Sequence, residues 1–95
     1  MERVIFRWDL NKDKLNKRKH GISFEIAQQA FSDPKRVIAQ DLKHSKTEQR
    51  YYCFGKVEGE IITVRFTYRN KVIRIIGAGY WRKGKVAYEK ENKIL

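Results

Sequence analysis

Apolar and polar side chains alternate at the start of the chain, and the spacing then becomes helical. From Arg3 to Trp8 every second position is apolar, which predicts a half-buried strand. Asp9 or Asn11 can cap a helix that follows directly, and Gly21 suits the left-handed conformation that ends many helices. This first helix carries many lysines, so we expect it to lie at the surface.

A second helix is predicted from apolar residues that recur three or four positions apart. Phe24, Ala27 and Phe31 have this spacing and would form one apolar face against the core. Ser23 can cap its start, and Pro34 cannot continue it because proline lacks the backbone N–H that a helix requires.

The second half of the chain returns to an alternation with period two, interrupted by short turns. The predicted strands are Val37 to Ala39, Arg50 to Val57, Ile61 to Tyr68 and Lys71 to Ala78. Glu58-Gly59 and Arg69-Asn70 separate the last three strands, and both pairs suit the positive φ angles of tight hairpin turns. We therefore expect an antiparallel meander.

A short C-terminal helix is predicted from Lys85 to Asn92, with Val86 and Tyr88 as its apolar positions. The predicted fold class is α+β: an antiparallel meander, two helices from the N-terminal half on one face, and the C-terminal helix. Because 95 residues suffice for one core but not for two, and no linker composition or repeat interrupts them, we expect a single domain over residues 1–95.

The charge balance indicates an anionic partner. The sequence has 22 Lys and Arg against 11 Asp and Glu, a formal net charge of +11 at pH 7, which is typical of proteins that bind nucleic acid. No apolar run approaches the length of a bilayer span, and the first ten residues lack the apolar region of a signal peptide. We therefore expect a cytoplasmic protein with no membrane partner, in which the lone Cys53 serves packing.

The strand alternation predicts one basic face of the sheet. In the Ile61 to Tyr68 strand, Arg65 lies on the side opposite the apolar residues, and Arg69 follows on the same side. If Arg50 and Arg74 share that face, the arginines meet in a concavity suited to a phosphodiester, because guanidinium groups give paired donors to phosphate oxygens. The alternative is that the apolar stems of these arginines simply cover the sheet.

The segment after Arg74 combines glycines, aromatic residues and positive charge. Gly77 and Gly79 remove side chains that would keep another group away from the backbone. The residues that follow are predicted to bind nucleic acid: Tyr80, Trp81, Arg82, Lys83 and Lys85. The alternative is a solvated basic edge that discourages aggregation between sheets.

An ordered set of short motifs resembles the BrnT family of toxins. The set is Trp8-Asp9 with Asn11-Lys12, Asn16 with Lys19-His20-Gly21, Phe24-Glu25-x-Ala27 with Phe31-x-Asp33-Pro34, Asp41, His44-Ser45 with Glu48-x-Arg50, Gly55, and Tyr68-Arg69 with Arg74-Ile75-Ile76. The resemblance implies a ribonuclease toxin with a RelE-like or microbial-ribonuclease-like fold, encoded in a type II toxin-antitoxin operon. It also implies a BrnA-like antitoxin with a ribbon-helix-helix domain, which would link the toxin indirectly to operator DNA.

The resemblance also implies which residues act on RNA. The family's basic and acidic positions fall on Lys19, His20, His44, Glu48, Arg50, Arg69 and Arg74. One departure is that the family typically ends its last strand with Arg-Ile-Ile-Ser-Ala-Arg, where this chain has Gly77-Ala78-Gly79. Arg82 or Lys83 can replace the missing charge, or Tyr80 and Trp81 can supply base stacking. A second possible function is a non-catalytic basic module that binds antitoxin, operator DNA or RNA.

The predicted mechanism requires no metal or other cofactor. RNA supplies its own nucleophile, the 2′-hydroxyl, so the enzyme has to remove a proton and stabilise charge. His44 or Glu48 is the candidate base, and Arg50, Arg69 and Arg74 would hold the phosphate. Lys19, His20 and Arg65 join the predicted nucleic-acid-binding residues, although a histidine beside Gly21 also serves to end a helix.

Overall fold

Local capping sets the boundaries of the first strand and helix. A computed structural model of the chain describes residues 4–44 and 46–93. Strand β1 (Ile5–Arg7) leads into helix α1 (Leu10–His20), where the Asp9 carboxylate accepts hydrogen bonds from the backbone N–H groups of Asn11 and Lys12 at 2.8 and 3.1 Å. Gly21 ends the helix with a φ of 71°. The predicted helix is confirmed; Arg3 of the predicted strand and Ser45 of the motif set lie outside the described residues.

The second and third helices differ from the prediction in length. Ser23 caps α2 (Phe24–Ala27), as predicted, but the chain then tightens into a 3₁₀ segment, Gln28–Ser32. Helix α3 (Arg82–Glu91) begins three residues before the predicted Lys85, directly after Trp81. Within the described ranges, no helix is long and apolar enough to cross a membrane.

Five strands form one sheet in the order β1-β5-β4-β3-β2. The remaining strands are β2 (Val37–Asp41), β3 (Arg50–Val57), β4 (Glu60–Arg69) and β5 (Val72–Gly79), and the 3₁₀ segment Leu42–His44 follows β2. Strands β2 to β5 pair as the predicted antiparallel meander, and β1 adds a parallel strand beside β5. The α+β fold class is confirmed, with a sheet that is mixed because of β1.

The two hairpin turns rely on residues with positive φ. Glu58 and Gly59 have φ angles of 50° and 83°, in the predicted turn. In the second turn Asn70 and Lys71 have φ angles of 49° and 67°. That turn is therefore one residue later than the predicted Arg69-Asn70, because Arg69 still pairs with Val72 as the last residue of β4.

One face of the sheet packs on α2 and the 3₁₀ segment after it. Phe24, Ala27 and Ala30 are buried there against Phe66 and the apolar positions of β5. Gly55 permits this close contact, because a Cβ atom at that position would lie 2.8 Å from the Cβ atom of Ala30. Cys53 is fully buried in the same core, which confirms its packing role, and burial raises the pKa of its thiol to about 12.

Asn16 fixes α1 along the edge of β5, beyond the point where β1 ends. Its side-chain nitrogen donates to the backbone oxygens of Ile22 and Ala78 at 2.9 and 3.0 Å, and its side-chain oxygen accepts from the N–H of Ala78 at 3.1 Å. The Asn16 amide therefore bonds the backbone of Ala78 in the way that a neighbouring strand would. This contact places the C-terminal half of α1 beside the second face of the sheet.

Helix α3 covers part of that second face. Gly84 lies directly against Thr63 and Phe54, two side chains of the second face. The Tyr88 hydroxyl donates to the carboxylate of Asp33 at 2.7 Å, which fixes the other end of the helix. The rest of the second face is open, and it is the face on which the arginines lie.

Candidate nucleic-acid interface

A row of polar residues crosses all five strands on the open face. Cross-strand pairing places Asp41 opposite Arg50, Arg50 opposite Thr67, Thr67 opposite Arg74, and Arg74 opposite Arg7. Directly opposite side chains in neighbouring strands have Cβ atoms about 4.5–5.5 Å apart. We call these five residues the arginine row. The prediction that Arg50, Arg65 and Arg74 lie on one face of the sheet is confirmed.

Two of the predicted catalytic residues bind each other beside the arginine row, where Arg69 lies two residues beyond Thr67 at the end of β4. The Glu48 carboxylate accepts from Nη2 of Arg69 at 3.0 Å and from Nε at 3.3 Å. The side chain of Arg69 is 62% exposed and that of Glu48 is 31% exposed. The Glu48 carboxylate is therefore engaged with a cation.

His44 lies at the β2 end of the row and is held by a buried carboxylate. Its Nδ1 atom is 2.9 Å from the Oδ2 atom of Asp41. The imidazole side chain is 51% exposed, whereas that of Asp41 is 3% exposed. With Asp41 ionised, Nδ1 carries the proton and donates it, so Nε2 is the ring nitrogen that can take up a proton.

The hydrogen bonds around Asp41 keep it ionised. Burial by itself would raise its pKa, but hydrogen bonds from His44 and Tyr52 and the charge of His44 outweigh burial and hold the pKa below the ordinary value of 3.8. Burial and the neighbouring Asp41 charge raise the pKa of Tyr52 above 10.0, so its hydroxyl remains a donor. Asp41, which also accepts a hydrogen bond from Tyr52, thus fixes the orientation and the tautomer of the His44 imidazole.

A small basic pocket lies beside the next row of the sheet, where Tyr52, Arg65 and Gly77 face one another. The pocket has a volume of about 250 Å³. The side chains that give it charge and shape are Lys12, Lys19, His20, Arg65 and Trp81. The structure therefore brings the predicted Lys19, His20 and Arg65 together, and α1 supplies Lys12 to the same pocket.

Trp81 separates the basic pocket from a larger groove. Its indole ring lies over Gly79, since a Cβ atom on Gly79 would be 2.8 Å from the ring, and its centroid is 5.4 Å from that of His20. On the other side is a groove of about 730 Å³ between α3 and the sheet, which we call the aromatic groove. Its lining is Ala39, Gln40, Tyr52, Phe54, Thr63, Arg65, Trp81, Arg82, Lys83, Gly84 and Ala87.

Two predicted nucleic-acid-binding residues line neither the basic pocket nor the aromatic groove. Tyr80 and Lys85 line a separate groove beside the β3–β4 turn, together with Lys56 and Glu60. Trp81 and Arg82 line both this groove and the aromatic groove. Lys83 lines the aromatic groove but not the groove beside the β3–β4 turn. The predicted cluster from Tyr80 to Lys85 is thus divided between two grooves, because within α3 Lys83 and Lys85 point in different directions.

Sequence reasoning did not assign a role to Asp41, Tyr52, Arg7 or Lys12. Alternation along β2 and β3 does place Asp41 and Tyr52 on one side of each strand. The missing signals were the cross-strand register, which brings Asp41 opposite Arg50, and the 3₁₀ segment Leu42–His44, which brings His44 back to Asp41. In residues 4–44 and 46–93 no group of three His, Cys, Asp or Glu side chains is placed to hold a metal ion.

The chain matches the model of a known protein family. The model of the family described as the ribonuclease toxin BrnT of type II toxin-antitoxin systems matches residues 8–84. The matched range contains all of the arginine row except Arg7, and it includes both His44 and the start of α3. No curated protein matches the chain significantly.

Proposed function

Because the chain belongs to the BrnT family of ribonuclease toxins of type II toxin-antitoxin systems, we propose that the arginine row is the site at which it cleaves RNA. The observation that carries this proposal is the register that places Arg50 and Arg74 on either side of Thr67. Arg50 on β3 and Arg74 on β5 flank β4, so their guanidinium groups can approach one phosphate from two sides. Thr67 lies between the two arginines and carries no charge. Its hydroxyl donates to the Gln49 carbonyl at 2.7 Å.

The arginine row would act mainly on the transition state. Attack by the RNA 2′-oxygen on the adjacent phosphorus forms a 2′,3′-cyclic phosphate, breaks the bond from phosphorus to the 5′-oxygen of the next nucleotide, and builds extra negative charge on the phosphate oxygens. The 2′-hydroxyl proton passes to the general base, and the leaving 5′-oxygen takes up a proton from solvent. Fixed guanidinium groups of Arg50 and Arg74 stabilise this charge more than they stabilise the ground state, so they accelerate the reaction rather than only bind RNA. Arg65 in the neighbouring row would contact the nucleotide next to that phosphate.

His44 is the general base that we propose. The buried Asp41 orients its ring, and Nε2 remains available to remove the 2′-hydroxyl proton. Glu48, the other candidate from the sequence, is bound to Arg69 and would serve to position that arginine. This mechanism uses only side chains and the substrate's own hydroxyl, so it requires neither a metal nor another cofactor.

An antitoxin would have to cover the same surface. The net charge of +11 and the open arginine row favour an inhibitor that brings acidic side chains to this face. We propose a BrnA-like protein in this role, whose ribbon-helix-helix domain would carry the complex to operator DNA. The toxin itself would then contact DNA only indirectly.

Expression without the antitoxin tests this function. Controlled expression should arrest growth with loss of RNA, and the purified protein should cleave RNA at an undiminished rate in excess EDTA. Co-expression of the operon's antitoxin should reverse both effects. Cleavage that stops on metal removal and returns with added Mg²⁺ would contradict the mechanism. Tight RNA binding without any cleavage would instead support the alternative, a non-catalytic binding module.

A further inference from the structure

The aromatic groove has the shape and position of a subsite for one nucleobase. Its volume of about 730 Å³ lies within the range of about 300–1,000 Å³ that is usual for small-molecule sites. The Tyr52 and Phe54 rings stack in the groove with centroids 5.8 Å apart and an interplanar angle of 15°. Tyr52 also contacts Asp41 of the arginine row, so the groove continues directly from the proposed phosphate site.

Trp81 forms a rigid side of the groove. It precedes the first residue of α3 and lies on Gly79, where any other residue would displace the indole. His20 packs edge-on against the same ring at 5.4 Å, and 37% of Trp81 remains exposed. A ring that is fixed before binding and still accessible is suited to base stacking, because little conformational entropy is lost when a base docks.

The charged groups in the groove select the kind of base. Arg65, Arg82 and Lys83 line it, and these side chains donate hydrogen bonds but cannot accept them. The Nε atom of Arg65 is buried and has no hydrogen-bond partner among the described residues. A buried donor without a partner is unfavourable, so a ligand acceptor would be stabilising there. Guanine presents two adjacent acceptors, O6 and N7, whereas adenine presents a donor at the equivalent edge.

We propose that the aromatic groove binds a guanine adjacent to the scissile phosphate, with Trp81 stacking on the base and Arg65 donating to its acceptor edge. This inference rests on the proposed ribonuclease function, because it assigns one subsite of the same substrate. An aromatic or acidic side chain of the antitoxin is the competing occupant of the groove.

Binding of an oligonucleotide that cannot be cleaved tests the subsite separately from catalysis. The probes are short RNA strands with one 2′-deoxy nucleotide at the scissile position, and the bases on either side of the scissile phosphate are varied singly among guanine, adenine, uracil and an abasic site. Fluorescence anisotropy gives the dissociation constant of each. At one of the two positions we expect guanine to bind about 10-fold or more tightly than adenine or the abasic site.

Four variants identify the groups responsible. Trp81→Ala should abolish the advantage of guanine over the abasic probe, and Trp81→Phe should retain most of it. Arg65→Lys keeps the charge but loses the planar pair of donors, so it should bind all probes while discriminating poorly between guanine and adenine. Tyr68→Ala is the matched control, because Tyr68 is 51% exposed on the opposite face of the sheet, and it should retain the full preference.

The outcomes separate failure of the subsite from failure of the ribonuclease function. Equal binding of all probes by the wild type, or a uniform weakening by Trp81→Ala, would overturn the guanine subsite even if RNA is cleaved normally. Loss of antitoxin binding in Trp81→Ala with unchanged probe binding would assign the groove to the antitoxin. A protein that prefers the guanine probe but cleaves no RNA would retain the subsite and contradict the ribonuclease mechanism alone.

Discussion

Replacement of Arg50 or Arg74 by alanine is expected to lower the single-turnover rate of RNA cleavage by about 100-fold or more in each variant. The two guanidinium groups lie on β3 and β5, on either side of Thr67 in β4, and we propose that both contact the phosphate as its charge increases. Removing either one leaves that charge partly uncompensated. Rates are measured with purified protein at saturating concentration over a short labelled RNA, so that weaker binding does not conceal the chemical step.

Arg18→Ala is the matched control for these two variants. It removes the same charge from α1, where Arg18 is exposed in the last turn and does not line the basic pocket. Its cleavage rate should stay close to the wild type. Circular dichroism and a cooperative thermal transition establish that each variant is folded. Wild-type rates in folded Arg50→Ala and Arg74→Ala would show that the arginine row is not the site of cleavage.

Replacement of His44 by alanine is expected to lower the cleavage rate by about 10²- to 10⁴-fold, the usual contribution of a general base. The side chain is 51% exposed, so the fold should be retained. Asp41→Asn should lower the rate less, because the imidazole is still present but its orientation and tautomer are no longer fixed by a carboxylate. Single-turnover rates across pH 5 to 9 measure both effects. A wild-type rate for His44→Ala, beside a large loss for Glu48→Ala, would assign the base to Glu48.

Asp41→Asn should also destabilise the fold, and more strongly at neutral pH than in acid. The pKa of Asp41 is below 3.8 in the folded protein, so its carboxylate contributes stability that is fully present above the unfolded value. That contribution is lost as the pH falls through the lower, folded value. Urea unfolding at pH 7 and at pH 3 should therefore show a larger destabilisation by Asp41→Asn at pH 7. An equal effect at both pH values would argue against ionised Asp41 as the partner of His44.

Features that depend on nearby residues could be predicted from the sequence. The Asp9, Gly21 and Ser23 caps use side chains or backbone conformations within one turn of the helix end. The hairpins follow from residues that tolerate positive φ, and alternation along β4 places Arg65 and Arg69 on one side. The resemblance to BrnT proteins could also be identified from the sequence, and the family model matches residues 8–84.

Features that depend on strand register and on the start of α3 could not be predicted in this way. The cross-strand neighbours of Asp41 and the parallel pairing of β1 join residues far apart in sequence. Helix α3 begins at Arg82 despite its cations, which oppose the helix dipole. This early start is stabilised by Gly84 packing on Thr63 and Phe54. Only the folded arrangement shows that Gly79 makes room for the indole of Trp81.

Cleavage of an RNA that lacks a single 2′-hydroxyl tests the central claim most directly. The cleavage site is first mapped on a short RNA, and the nucleotide on the 5′ side of that phosphate is then replaced by its 2′-deoxy form. If the substrate supplies the nucleophile, cleavage at that phosphate disappears, while the unmodified RNA yields a 2′,3′-cyclic phosphate or its hydrolysed 3′-phosphate. Continued cleavage of the 2′-deoxy substrate, with a 5′-phosphate on the product, would contradict the account.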